Sequence, residues 1–76
     1  MALLFERELK KLDPPPLIVD KHTMKWGRLT LLYCELDDGT LFMHLSVGDN
    51  CYVDRYHPDC IPECITRVRN WIRWFT

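Results

Sequence analysis

Glycine is scarce in this chain. The 76 residues hold three, Gly27, Gly39 and Gly48, and each falls in an expected loop or turn. No glycine-rich phosphate loop, paired His-Glu helix motif or nucleophile elbow can be assembled. Long apolar runs are lacking too: none approaches the ~20 residues needed to cross a bilayer. The apolar start, residues 1–5, meets Glu6, Arg7 and Glu8 at once, unlike the basic start and longer apolar stretch of a signal peptide. Nor is there an excess of either charge. Lys and Arg total 10 and Asp and Glu total 11, for a net charge of −1. Phosphate neutralisation supplies most of a nucleic-acid binder's affinity, so this balance argues against that class, although a local basic patch would escape it. The expectation is a non-enzymatic protein without cofactor or membrane association, in a reducing, cytoplasmic compartment.

What is present reads as one small globular domain. The hydrophobic fraction is 47% and the charged fraction 28%, far from a disordered composition. A chain this short buries only roughly 60% of the surface its unfolded form exposes. A deep substrate cleft has little room, and self-association would add stability.

Residues 2–12 read as a short helix, with Phe5, Leu9 and Leu12 on one stripe and charged residues between them. Asp13 and three prolines end it and form a stiff connector, so that residues 1–16 make an N-terminal helix plus linker. Residues 17–19 suit a short edge strand, and 20–27 a loop anchored by Trp26. Residues 28–36 and 41–47 are β-rich runs joined at Asp38-Gly39, a strong hairpin signal. A two-residue loop there places Thr30, Leu32, Cys34 and Leu36 opposite Val47, Leu45, Met43 and Leu41 on an apolar face. A three-residue turn at Gly48-Asp49-Asn50 puts Cys51 and Val53 of the next strand on that face. A two-residue turn would reverse the last assignment.

Residues 59–75 form the clearest helix. Ile61, Cys64, Ile65, Val68, Trp71, Ile72 and Phe75 recur at helical spacing, with Asp59 as N-cap. The expected architecture is α+β in α-β-β-β-α order: a three-stranded antiparallel sheet packed on a C-terminal amphipathic helix, with residues 28–75 as the core. Double-stranded-RNA-binding domains share this order of elements. No basic cluster opens the second helix, however, where that fold grips phosphate, and topology alone assigns no function.

Three groups of residues could carry function. The expected outer sheet face gathers Tyr33, Phe42, His44, Tyr52 and Tyr56. Such a face can be covered by the chain's own N-terminus, can bind a protein (foreign or a second copy), or can stack bases. His44 near Tyr33 and Asp54 could act as a base, but a hydrogen-bonded structural histidine is the commoner case. The second group is His57, Cys60 and Cys64, with Cys51 near. Its spacing is a weak zinc signal, because the usual paired cysteines are two residues apart and repeated, and Cys64 lies on the apolar stripe. A Cys34–Cys51 disulfide would have to span about two strand spacings, near 10 Å, which is too far. The third group is Arg67, Arg73 and Trp74 on the polar side of the last helix, residue types favoured in protein interfaces. Arginines near a helix C-terminus also serve simply to offset its dipole.

These features together read as a protein-binding module. The small size suits an accessory or inhibitory protein such as phage and mobile elements encode. The alternative is a nucleic-acid-binding domain using the Arg-rich face of the last helix.

Overall fold

The computed structural model describes residues 2–75, with side chains from Leu4 onward. Helix α1 spans Ala2–Lys10. Five strands follow: β1 Leu17–Asp20, β2 Thr23–Trp26, β3 Leu29–Glu35, β4 Leu41–Val47 and β5 Asn50–Tyr56. A short 3-10 turn, Pro58–Cys60, leads into helix α2, Ile61–Phe75. The strands pair in sequence order as one antiparallel meander.

The sheet therefore has five strands rather than three. Residues 17–26 supply the additional two. Leu17–Asp20 is the edge strand expected there, but the loop assigned to 20–27 contains a strand of its own. In β2, Met24 and Trp26 are buried while Thr23 and Lys25 are only partly covered. That is the period-two pattern of a half-buried strand, hidden in the sequence by its shortness. Two-residue turns flank it, Lys21-His22 and Gly27-Arg28.

The β3–β4 register also differs from expectation. Leu36 N–H donates to the Thr40 carbonyl at 2.8 Å and Gly39 N–H to the Leu36 carbonyl at 2.9 Å. The loop is thus Asp37-Asp38-Gly39, three residues long, with Gly39 alone at positive φ, +86°. A two-residue type I′ turn needs positive φ at both central residues, which costs a non-glycine residue about 1–2 kcal/mol. The three-residue loop requires it only at glycine. The extra loop residue turns β3 over. Tyr33 stands opposite Met43 and Leu31 opposite Leu45, while Thr30, Leu32 and Cys34 move to the other face.

At the β4–β5 turn the reverse holds. The loop is the two residues Gly48-Asp49, with Val47 opposite Asn50 and Gly48 at φ +57°. Positive φ at the first central residue only is the type II′ pattern. Tyr52, Asp54 and Tyr56 consequently share a face with Leu45, Met43 and Leu41, and Cys51, Val53 and Arg55 lie on the opposite one.

Both helices cover the same face of the sheet. Phe5 and Leu9 of α1 and Ile61, Cys64, Ile65, Val68, Trp71 and Ile72 of α2 are buried in one cluster with Met24, Trp26, Leu31, Met43 and Leu45. Phe5 packs edge-on to Tyr33, ring centroids 5.4 Å apart, and Cys64 Sγ lies 3.4 Å from Met43 Sδ. Each fully buried large apolar side chain contributes about 1.5–3 kcal/mol, so the eight helix residues fix both helices to this face. The helix bounds follow from local chemistry. Lys11 and Leu12 close the end of α1 with tightened bonds to the Glu8 and Leu9 carbonyls, and the prolines stop it. Trp26 Nε1 donates to the Pro14 carbonyl at 2.9 Å, tying the connector to β2. Asp59, expected to cap the last helix, lies instead within the 3-10 turn, which His57 caps by accepting the Asp59 N–H.

Candidate functional site

The far face of the sheet carries no helix. Its rows run across the strands as Thr23–Leu32–His44–Val53, Lys25–Thr30–Ser46–Cys51 and Cys34–Phe42–Arg55. None of these eleven residues is buried. Leu32 and Val53 are 43% and 52% exposed, with His44 between them. Its Nδ1 is enclosed and has no hydrogen-bond partner. The face holds three charged residues on three strands: Lys25 on β2, Arg55 on β5 and, opposite Thr23 on edge strand β1, Asp20. At its rim, Asp20 accepts the His22 N–H at 2.8 Å within the β1–β2 turn, which holds its carboxyl below the usual aspartate range.

Of the five side chains expected on an aromatic outer face, the structure keeps Phe42 and His44 there and moves Tyr33, Tyr52 and Tyr56 to the helix side. Tyr33 is buried beneath α1, where its hydroxyl donates to Glu6 Oε1 at 2.9 Å. Burial, then the Glu6 carboxylate, raises its phenol above the ordinary value. It is a core residue. His44 is accordingly not beside Tyr33 or Asp54, which lie across the sheet from it.

Tyr52 and Tyr56 belong to a cluster where β5 meets α2. The Tyr52 hydroxyl donates to Asp54 Oδ2 at 2.7 Å, and Arg67 lies over the Tyr52 ring, 4.6 Å from its centroid. Arg67 is also hydrogen-bonded to Tyr56, which raises its pKa. Trp71 packs at a tilt against Phe75, ring centroids 4.9 Å apart, and stands 6.4 Å from Tyr52. The Tyr52 hydroxyl, then the Arg55 N–H, lowers the Asp54 carboxyl, and the Asp54 bond raises the Tyr52 phenol. These groups satisfy one another and close the β5 side of the sheet against the helix.

Arg67 is thereby separated from Arg73. Arg69 and Arg73 are on the opposite flank of α2, where with Lys11, Leu12, Asp13, Pro14 and Ile72 they line an open cleft of about 650 Å³. Trp74 is 64% exposed. The C-terminal arginines thus occupy two surfaces rather than one continuous strip.

The His57, Cys60 and Cys64 set does not converge. His57 is exposed, whereas Cys64 has no exposed surface and its thiol is pushed up to about 12 by burial. A thiol so buried packs as a small hydrophobe. Among the described residues no three His, Cys, Asp or Glu side chains are grouped to hold a metal ion. All four cysteines are free, with Cys51 exposed on the open face and Cys34 half-buried there. No helix among the described residues is long and apolar enough to cross a membrane.

Thr30, Leu32, Cys34, Cys51 and Val53 are the site residues that sequence reasoning put on the core face. The signal that would have placed the β3 residues is the single glycine in Asp37-Asp38-Gly39, which favours a three-residue loop, and for the β5 residues it is Gly48 opening a two-residue turn. Compared with family models, curated proteins and solved structures, the chain matches none of them.

Proposed function

We propose that this chain is a non-enzymatic protein-binding module that docks through the open face of its sheet. The observation that carries this reading is the uncovered row Leu32–His44–Val53, with Phe42 beside it, at the middle of a sheet whose other face is covered by two helices. Contiguous apolar surface of this kind is what a partner removes from water, at about 25 cal/mol per Å² of apolar area. The groups that might otherwise suggest catalysis, Tyr33 with Glu6 and Tyr52 with Asp54 and Arg67, are engaged with one another and serve packing. A role as an accessory or inhibitory protein, of the sort phage and mobile elements encode, fits the small size and the single broad docking face.

The nucleic-acid alternative has less support. Arg67 is committed to Tyr52 and Tyr56, which leaves Arg69 and Arg73 without it on the other flank.

A photoreactive phenylalanine analogue installed in place of Phe42, and separately in place of Trp74, tests the reading. Protein adducts formed from position 42 are the expected result. Adducts from position 74 alone would overturn docking by the sheet face.

A further inference from the structure

We propose that the occupant of the open sheet face is a second copy of this chain, packed sheet against sheet. The inference rests on the reading that this face binds protein, and it names the partner.

The first argument is chemical. In a two-fold pair each surface patch meets its own copy, so groups near the axis must tolerate facing themselves. Apolar side chains do. Hydroxyls do as well, since each can both donate and accept, and a neutral imidazole has one donor and one acceptor. Carboxylates, ammonium and guanidinium groups do not. The middle of the face meets this requirement. Leu32, His44 and Val53 form the central row, with Thr30 and Ser46 on one side and Cys34 and Phe42 on the other. Its charged groups are kept off that centre and apart: Lys25 is on β2 in the Thr30 row, Arg55 is on β5 in the Phe42 row, and Asp20 is on the edge strand β1 opposite Thr23. An acidic partner would call for cations within the face and a basic partner for carboxylates. The centre of the face offers neither; its charges, Lys25, Arg55 and Asp20, stand away from the Leu32–His44–Val53 row or at its β1 end.

The second argument is size. Strand spacing of about 4.8 Å and a rise of about 3.4 Å per residue give the five-stranded face a projected area of about 500 Å². Side-chain relief makes the accessible area larger, which brings it towards the ~800 Å² per partner of a standard interface. Sheets pack face to face at about 10 Å with their inner side chains interleaved, and need no further backbone hydrogen bonds to do so. The third argument is the net charge of −1, which sets up almost no long-range repulsion between copies.

Sedimentation of the reduced full chain over a concentration series, with Leu32→Glu, Val53→Glu and Trp74→Glu variants, is the test. The expected result is a wild-type dimer that Leu32→Glu and Val53→Glu weaken by at least about tenfold, while Trp74→Glu leaves it unchanged and circular dichroism shows all folded. A wild-type chain that stays monomeric overturns self-pairing, and so does a dimer lost only with Trp74→Glu. Should the glutamate variants fail to fold, the photoreactive analogue at position 42 decides. A covalent dimer supports the proposal, and adducts containing only another protein overturn it while leaving the protein-binding reading standing. No adduct of any kind overturns both.

Discussion

Tyr33 donates its hydroxyl to Glu6 Oε1 across 2.9 Å, binding the middle strand of the sheet to α1. That bond, with Phe5 packed on the same ring, places the N-terminal helix on the face that α2 already covers. The opposite face is bare for this reason. Tyr33→Phe keeps the ring and removes the bond, and should cost about 1 kcal/mol in urea denaturation. Tyr33→Ala removes the ring as well and should cost about 3–5 kcal/mol, as for other large core aromatics. A near-neutral Tyr33→Ala would place the ring outside the core.

The turn glycines should differ sharply from surface positions. Gly39 holds φ +86° and Gly48 φ +57°, and a Cβ at either would meet nothing within 4 Å. Any penalty is therefore conformational, not a clash. Gly39→Ala and Gly48→Ala should each lower stability by about 1–2 kcal/mol, measured by chemical denaturation. A stabilising Gly39→Ala would contradict the three-residue loop.

The thiols should react in order of exposure. At protein concentrations low enough to keep the chain monomeric, Cys51 should be modified rapidly by a thiol reagent, Cys34 and Cys60 more slowly, and Cys64 only at the rate of unfolding. The raised Cys64 pKa, about 12, also gives an alkaline signature. The unfolded thiol releases its proton near the ordinary thiol value while the folded one keeps it until pH is higher. Stability is thus full below the unfolded value and falls as pH rises from there towards 12. In Cys64→Ala that part of the alkaline decline should vanish, despite a lower stability overall. Melting temperatures across the alkaline range check this, and an unchanged slope would contradict it.

Acid should destabilise the fold through three aspartates. Asp20, Asp38 and Asp54 all have lowered pKa values, from backbone N–H and side-chain donors around them. For a lowered carboxylate, the stability is present above the unfolded value and lost as pH falls through the folded one. The melting temperature should therefore decline on acidification through the carboxylate range. Asp38→Asn should soften the decline, since the Asp38 carboxylate accepts the Thr40 N–H at 2.9 Å in the loop that sets the register.

The buried stripe of the last helix was legible in the sequence, although the 3-10 turn at its start was not. The stripe from Ile61 to Ile72 is the buried set of α2, because a 3.6-residue period leaves one way to face a core. β4 was legible for a similar reason: Leu41, Met43, Leu45 and Val47 alternate with more polar neighbours. β3 was not. Leu29, Leu31 and Tyr33 compete with Thr30, Leu32 and Cys34, both sets are apolar, and the choice falls to a loop one residue longer than Asp-Gly suggests. β5 carries the same ambiguity between Tyr52, Tyr56 and Cys51, Val53, resolved by the opposite change in loop length. The candidate site inherits these two slips. Phe42 and His44, on the well-read strand, stayed where the sequence put them, and the tyrosines on its neighbours changed sides.

The register underlies the open face, so its most direct test compares neighbouring leucines. Leu31 has no exposed surface, whereas Leu32 is 43% exposed. Leu31→Ala and Leu32→Ala should be unfolded in urea at protein concentrations low enough to keep the chain monomeric. The expected cost is about 2–5 kcal/mol for Leu31→Ala and less than about 1 kcal/mol for Leu32→Ala. Equal costs, or a larger one at Leu32, would put Leu32 in the core and remove the docking face.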